Sequence, residues 1–136
     1  LAKTRRSGLA KTYAHNRRLS EASKAAMAAM GLSLYSRDSP SQVLTAVEAP
    51  AGVDGQKVVS KLREQGIWIA GGQAQAKGKI FRIAHMGIID ELDILSTLAA
   101  IELVLDELGR SVEFGSGVAA ASRVLAEAVA PQPAAV

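Results

Sequence analysis

Three observations predict an α+β domain, with helices over one face of a small and mostly antiparallel sheet. First, Ile94, Leu98, Ile101, Leu105 and Leu108 recur in steps of four and three, the spacing of one apolar helix face. Second, short apolar or β-branched stretches alternate with turns rich in glycine and proline. Third, hydrophobic residues make up 49% of the chain and aromatic residues only 4%, so the core must be aliphatic. A length of 136 residues suits one domain with a modest core.

The elements follow in order. Residues 1–7 read as a tail. A helix is expected over Leu9–Met30, with Leu19, Ala22, Ala26 and Met30 on one stripe and Gly31 as its stop. "LSLYS" (32–36) reads as a short strand, "RDSPSQ" as a loop, and "VLTAVEA" (43–49) as a second strand. Asp54 caps a helix over about 55–65 that buries Val58, Val59 and Leu62 and stops at Gly66. "IWIA" (67–70) reads as a strand with Trp68 in the core, and "KIFRIAH" (79–85) as its partner. Asp90 opens the most regular helix of the chain, and Asp93 favours its positive end. Gly109 stops that helix. A last one, over Ser116–Val129, aligns Val118, Ala121, Leu125 and Val129 before a frayed tail. The expected order is α-β-β-α-β-β-α-α. As domain organisation this gives a tail (1–7), a leading helix (8–30), an α+β unit (31–109), a C-terminal helix (110–130) and a tail (131–136).

Composition excludes several chemistries. Without cysteine the chain makes no disulfide, thiolate nucleophile, zinc-thiolate site or iron–sulfur centre. Two distant histidines, His15 and His85, do not suggest a metal site. No apolar run approaches a bilayer-spanning length, and the basic start is not followed by a secretory apolar segment. A cytoplasmic protein without a membrane partner is therefore expected. Residues 1–24 carry seven Lys or Arg against one Glu, so the net charge of +3 is concentrated there. A solvated helix face explains that run; with little aromatic interleaving and no recognised module, nucleic acid is not expected as a partner.

The stretch "GGQAQAKGKIFRIAHMG" (71–87) carries the candidate site. It is no P-loop, because Gln73 stands where the first glycine is needed and Ile80 where a serine or threonine is needed. Strand alternation puts Ile80, Arg82 and Ala84 on one face, and Phe81, Ile83 and His85 on the other. A guanidinium among small apolar neighbours is costly unless paired, and its planar fork matches a carboxylate. Two partners are open for Arg82 at this point: an acidic residue of the same chain, or a ligand. His85, Lys77 and Lys79 read as structural or solvated, and Asp90, Glu91 and Asp93 as helix capping. No nucleophile stands beside a base.

"IAGGQAQAKGKIFRIAHMGIIDELDIL" (69–95) resembles the C-terminal signature of class V aminotransferases, most closely the alanine–glyoxylate and serine–pyruvate branch. "YAHNRRLSEASKAAMAAMGLSLYS", "VLTAVEAPAGVDGQKVVSKL" and "GSGVAAASRVLAEA" are similar to flanking family segments, so that the resemblance covers roughly residues 8–130. Ala84 departs from it, standing where close members often carry glycine. The resemblance implies the small C-terminal domain of a fold-type-I enzyme dependent on pyridoxal phosphate. It implies that Arg82 binds the substrate carboxylate and that Gly71, Gly72 and Gln73 lie near the active-site mouth. The Schiff-base lysine and the cofactor grip belong to the family's large N-terminal domain. No catalytic residue and no bound cofactor are therefore expected on this chain alone, and the implied partner is that missing large domain. It further implies a homodimer when intact, and transfer of an amino group between a small amino acid and a 2-oxo acid such as glyoxylate or pyruvate. Some relatives carry the label of a soluble hydrogenase subunit. The competing expectation is thus a non-catalytic partner or assembly module.

Overall fold

The computed structural model describes residues 8–35, 44–84 and 89–128. Four helices and a three-stranded sheet are found among them: α1 (Leu9–Ala29), β1 (Leu44–Glu48), α2 (Gly55–Glu64), β2 (Ala70–Gly71), β3 (Ile80–Ala84), α3 (Glu91–Glu107) and α4 (Ser116–Ala128). The sheet is antiparallel throughout, in the order β1-β3-β2, so β3 is central. The expected α+β class holds.

The helix ends follow local chemistry. Gly31 adopts φ +74°, which lets Leu32 N–H reach the Met27 carbonyl at 2.8 Å and close α1. Asp54 caps α2 by accepting from Gln56 N–H at 2.9 Å. Asp90 and Asp93 form a reciprocal capping box at the start of α3: Asp93 N–H donates to Asp90 and Asp90 N–H to Asp93, at 2.8 and 2.9 Å.

The core lies between the sheet and the helices. Leu19, Ala22, Ala26 and Met30 of the expected stripe are buried, as are Val58, Val59, Leu62, Ile94, Leu98, Ile101 and Leu105. Phe81 is fully buried at the centre of the sheet, with Val47 and Ile83 beside it on the same face. In α4, Ala121 and Leu125 are buried and Val118 partly so; Val129 lies outside the described residues.

Two expected strands are shortened and one expected core residue is misplaced. In 32–36 the described residues make a single bridge, Leu34 to Val47, flanked by bonds from Tyr35 N–H to Ala46 O and from Glu48 N–H to Ser33 O. Leu32 cannot join this pairing, because its N–H closes α1. In 67–70 only Ala70 pairs, together with Gly71, since Ile67 N–H is held by the Leu62 carbonyl at the end of α2. Trp68 is not in the core. It is 74% exposed, and the Arg63 guanidinium stacks over its ring at 4.7 Å from the centroid. The tails, "RDSPSQ", His85 and Gly87 fall outside the described residues.

A candidate carboxylate site on the open face of the sheet

The glycine stretch is a turn between two strands. Gly72 N–H bonds to Ile80 O at 3.2 Å, and a short 3-10 turn over Ala74–Ala76 brings the chain back to β3. The turn is tight enough to dictate its residues. A Cβ on Gly72 would lie 2.0 Å from the Ala76 carbonyl oxygen, which is backbone and cannot rotate away. Gly78 adopts φ +77°, and Ala74 sits in the left-handed region at φ +50°, a strained choice for a residue with a Cβ. Lys77, Lys79 and Gln73 are exposed on this turn.

Arg82 follows on the central strand. Its register partners are Ala46 on β1 and Ala70 on β2. The opposite parity, Thr45, Val47, Phe81 and Ile83, is buried against the helices. Arg82 therefore stands on the sheet face turned away from the helix layer, between two alanines and with exposed Ala84 two residues on. Those three side chains are short, and Arg82 between them is half-buried. Ile80, on the same parity, is buried beside the glycine turn, its Cγ1 2.9 Å from where a Gly72 Cβ would be.

The hydrogen bonding of Arg82 separates its two open partners. Its Nε–H donates to the Gly71 carbonyl at 3.0 Å. Among the described residues no carboxylate is found against it; ion pairs found there include Arg18 to Glu91 at 2.8 Å and Lys61 to Glu107 at 2.6 Å. The backbone thus holds the Nε edge of the guanidinium, and among the described residues no carboxylate is bonded to its Nη edge. A carboxylate fits that geometry through two parallel N–H···O bonds.

Several other expected residues make structural contacts. His15 Nε2 donates to Ile89 O at 2.9 Å, tying α1 to the segment before α3. Asp90 and Asp93 cap α3, Glu91 pairs with Arg18, and no group of acidic or histidine side chains among the described residues is arranged to hold a metal ion. On the basic face of α1, Arg18 is paired with Glu91, and burial pulls the Lys24 ammonium below its ordinary pKa, with Glu21 acting in the opposite sense. No helix among the described residues is long and apolar enough to cross a membrane.

Sequence reasoning missed two residues. Gln56 of α2 lies against the glycine pair, its Nε2 3.4 Å from Gly72 O, and nothing in the pattern around Asp54 marks it. Glu102 is 3% exposed within an apolar helix and caps α4 from a distance. An acidic residue inside "AAIELVL" was a signal that some buried donor must face it.

Comparison with known proteins shows what the chain is similar to. The chain is 38% identical over 123 residues to the serine–glyoxylate aminotransferase of Methylorubrum extorquens, a match that covers 88% of the chain and 31% of the relative. It superposes on ureidoglycine–glyoxylate aminotransferase from Bacillus subtilis with a TM-score of 0.85 at 35% identity, over 90% of this chain and 33% of that one. The chain is homologous to part of the class V aminotransferases. The matched part is their C-terminal portion, and the chain spans about a third of the length of the relatives it matches. The soluble hydrogenase small subunit of Synechococcus sp. is 46% identical over 124 residues, covering 89% of this chain and 32% of the relative. No family model matches the chain.

Proposed function

We propose that this chain is the substrate-carboxylate half of a pyridoxal-phosphate-dependent aminotransferase. In the intact protein Arg82 clamps the α-carboxylate of a small amino acid or of a 2-oxo acid such as glyoxylate or pyruvate. The observation that carries the reading is the state of Arg82: anchored through Nε to Gly71 O, flanked by alanines, and without a carboxylate partner among the described residues. A rigid strand and a fixed inner edge orient the fork before the substrate arrives, so that binding fixes the substrate's Cα–N bond against the reacting group.

The residues on and around the glycine turn do not suit the cofactor. A Schiff-base lysine must be desolvated or beside another cation to be nucleophilic. Lys57, Lys77 and Lys79 are exposed, and the glycine turn does not have the order of residues of a phosphate-binding loop. Pyridoxal phosphate, which supplies the electron sink of amino transfer, is therefore assigned to the larger part of the intact enzyme, read as a cytoplasmic homodimer. Gly71, Gly72 and Gln73 form the rim of the carboxylate site.

The test is Arg82→Gln in the full-length enzyme that contains this segment. Removing two charge-assisted hydrogen bonds, each about 1.5–3 kcal/mol, should lower kcat/KM by about a hundredfold or more. The fold should persist, because the partner of Arg82 among the described residues is one backbone carbonyl. An unchanged kcat/KM for every amino donor and 2-oxo acid would overturn the reading.

The hydrogenase-labelled relative supports a second reading, a partner module within a larger assembly. Having no cysteine, this chain would serve there as a docking subunit and would not ligate a redox metal through thiolates. In that case Arg82→Gln leaves co-purification with the partner unchanged and there is no carboxylate to lose.

A further inference from the structure

The carboxylate reading needs Arg82 to be held, and the structure shows a chain of contacts that reaches it from α2. Gln56 sits in the first turn of that helix. Its own N–H is fixed by the Asp54 cap, and its neighbour Gly55 donates to Gly78 O at 2.8 Å, at the far end of the turn. The helix is thereby pinned to the turn, as a Cβ on Gly55 would lie 2.7 Å from Ile80 O. From this platform the Gln56 amide reaches across to the glycine pair. Its Nε2 donates to Gly72 O at 3.4 Å, and the amide packs so closely on Gly71 that a Cβ there would fall 2.4 Å from Nε2. Gly71 carries the carbonyl on which Arg82 Nε–H rests.

We infer that Gln56 is a positioning residue for Arg82. It holds the Gly71–Gly72 segment so that the Gly71 carbonyl presents a fixed acceptor to the guanidinium. The absence of a side chain on Gly71 is required by this packing. An alanine there would push aside the flexible end of Gln56 and break its bond to Gly72 while leaving the strand pairing in place. Gln56 and Gly71 thus act along one path. The inference deepens the reading of Arg82 as a carboxylate clamp and rests on it for its functional meaning. The geometry itself is tested without substrate.

The experiment measures water exchange of the Arg82 Nε–H by 1H–15N NMR of the 136-residue chain, with the resonance assigned by its loss in Arg82→Lys. In the parent chain this proton should exchange more slowly than those of the exposed Arg17 and Arg63. Gln56→Met, which keeps length but cannot donate, should raise the rate by about three- to tenfold, the effect of one weakened hydrogen bond. Gly71→Ala should do the same, and the double variant should add nothing further. Should Gln56→Met not fold, Gly71→Ala carries the test, since it displaces only a side-chain terminus. Fast exchange in the parent, an unchanged rate in either folded variant, or multiplied effects in the double variant would each overturn the inference. Enzyme activity does not enter the measurement. Failure of the substrate role and failure of the positioning role are therefore separate results.

Discussion

Glu102 offers the sharpest test of how the domain is held together. It is 3% exposed, and its carboxylate stands at the start of α4. Oε2 accepts from Gly115 N–H at 2.6 Å, and Oε1 accepts from Gly117 N–H at 2.8 Å and Val118 N–H at 3.3 Å. These are first-turn donors that have no partner within their own helix. Glu102→Leu keeps the bulk and removes the acceptors. Gly115 is exposed and recovers its bond from water, whereas Gly117 is buried and does not. One fully orphaned buried donor, one partly buried donor and the loss of a favourable charge at the helix start together predict about 3 kcal/mol of destabilisation. Glu102→Gln retains an acceptor oxygen but turns an NH2 group toward one of the donors, and about half that loss is expected. Urea unfolding of the chain with fitted m-values is the assay. Both variants within about 0.5 kcal/mol of the parent, at unchanged m, would refute the argument that this buried carboxylate is retained as a remote helix cap.

Two further outcomes follow from the site and its surroundings. Gly72→Ala drives a Cβ to 2.0 Å from the Ala76 carbonyl oxygen, so the turn must open. A loss of about 1–3 kcal/mol is expected by thermal melting, together with faster exchange of the Arg82 Nε–H in the NMR experiment. Trp68→Ser should cost less than about 1 kcal/mol in the same urea assay, because the ring is 74% exposed and its described partner is the Arg63 guanidinium. A loss of several kcal/mol would mean that Trp68 is packed after all.

The role proposed for Arg82 depends on contrast between the two faces of one strand. Phe81 and Ile83 anchor β3 in the core, where they resist displacement, and Arg82 projects between them onto the open face. Rigidity and availability are thereby supplied by neighbouring residues of the same strand. The small side chains Ala46 and Ala70 serve the same end, since longer ones in those register positions would cover the guanidinium.

Sequence by itself determined what depends on near neighbours in the chain. The stripes of α1 and α3, the Asp54 and Asp90 caps, and the stops at Gly31 and Gly109 all come from periods and backbone preferences that act within a few residues. The alternation that sets Arg82 apart from Phe81 and Ile83 is of the same kind. The tertiary structure decided whatever depends on which surface meets which. Trp68 between two isoleucines reads as core, yet the end of α2 captures the Ile67 N–H and turns the indole out to Arg63. The strand observed there is Ala70 and Gly71, and the Ile67 N–H is lost to the sheet because a backbone donor already bonded to a helix cannot join it. Glu102 and its three donors are separated by 13 to 16 residues, and Gln56 lies 16 residues from the carbonyl it holds. No local period encodes those distances. They arise because the packing of α2 on the hairpin, and of α4 on α3, brings a single acceptor or donor within reach of backbone groups that burial would otherwise leave unpaired.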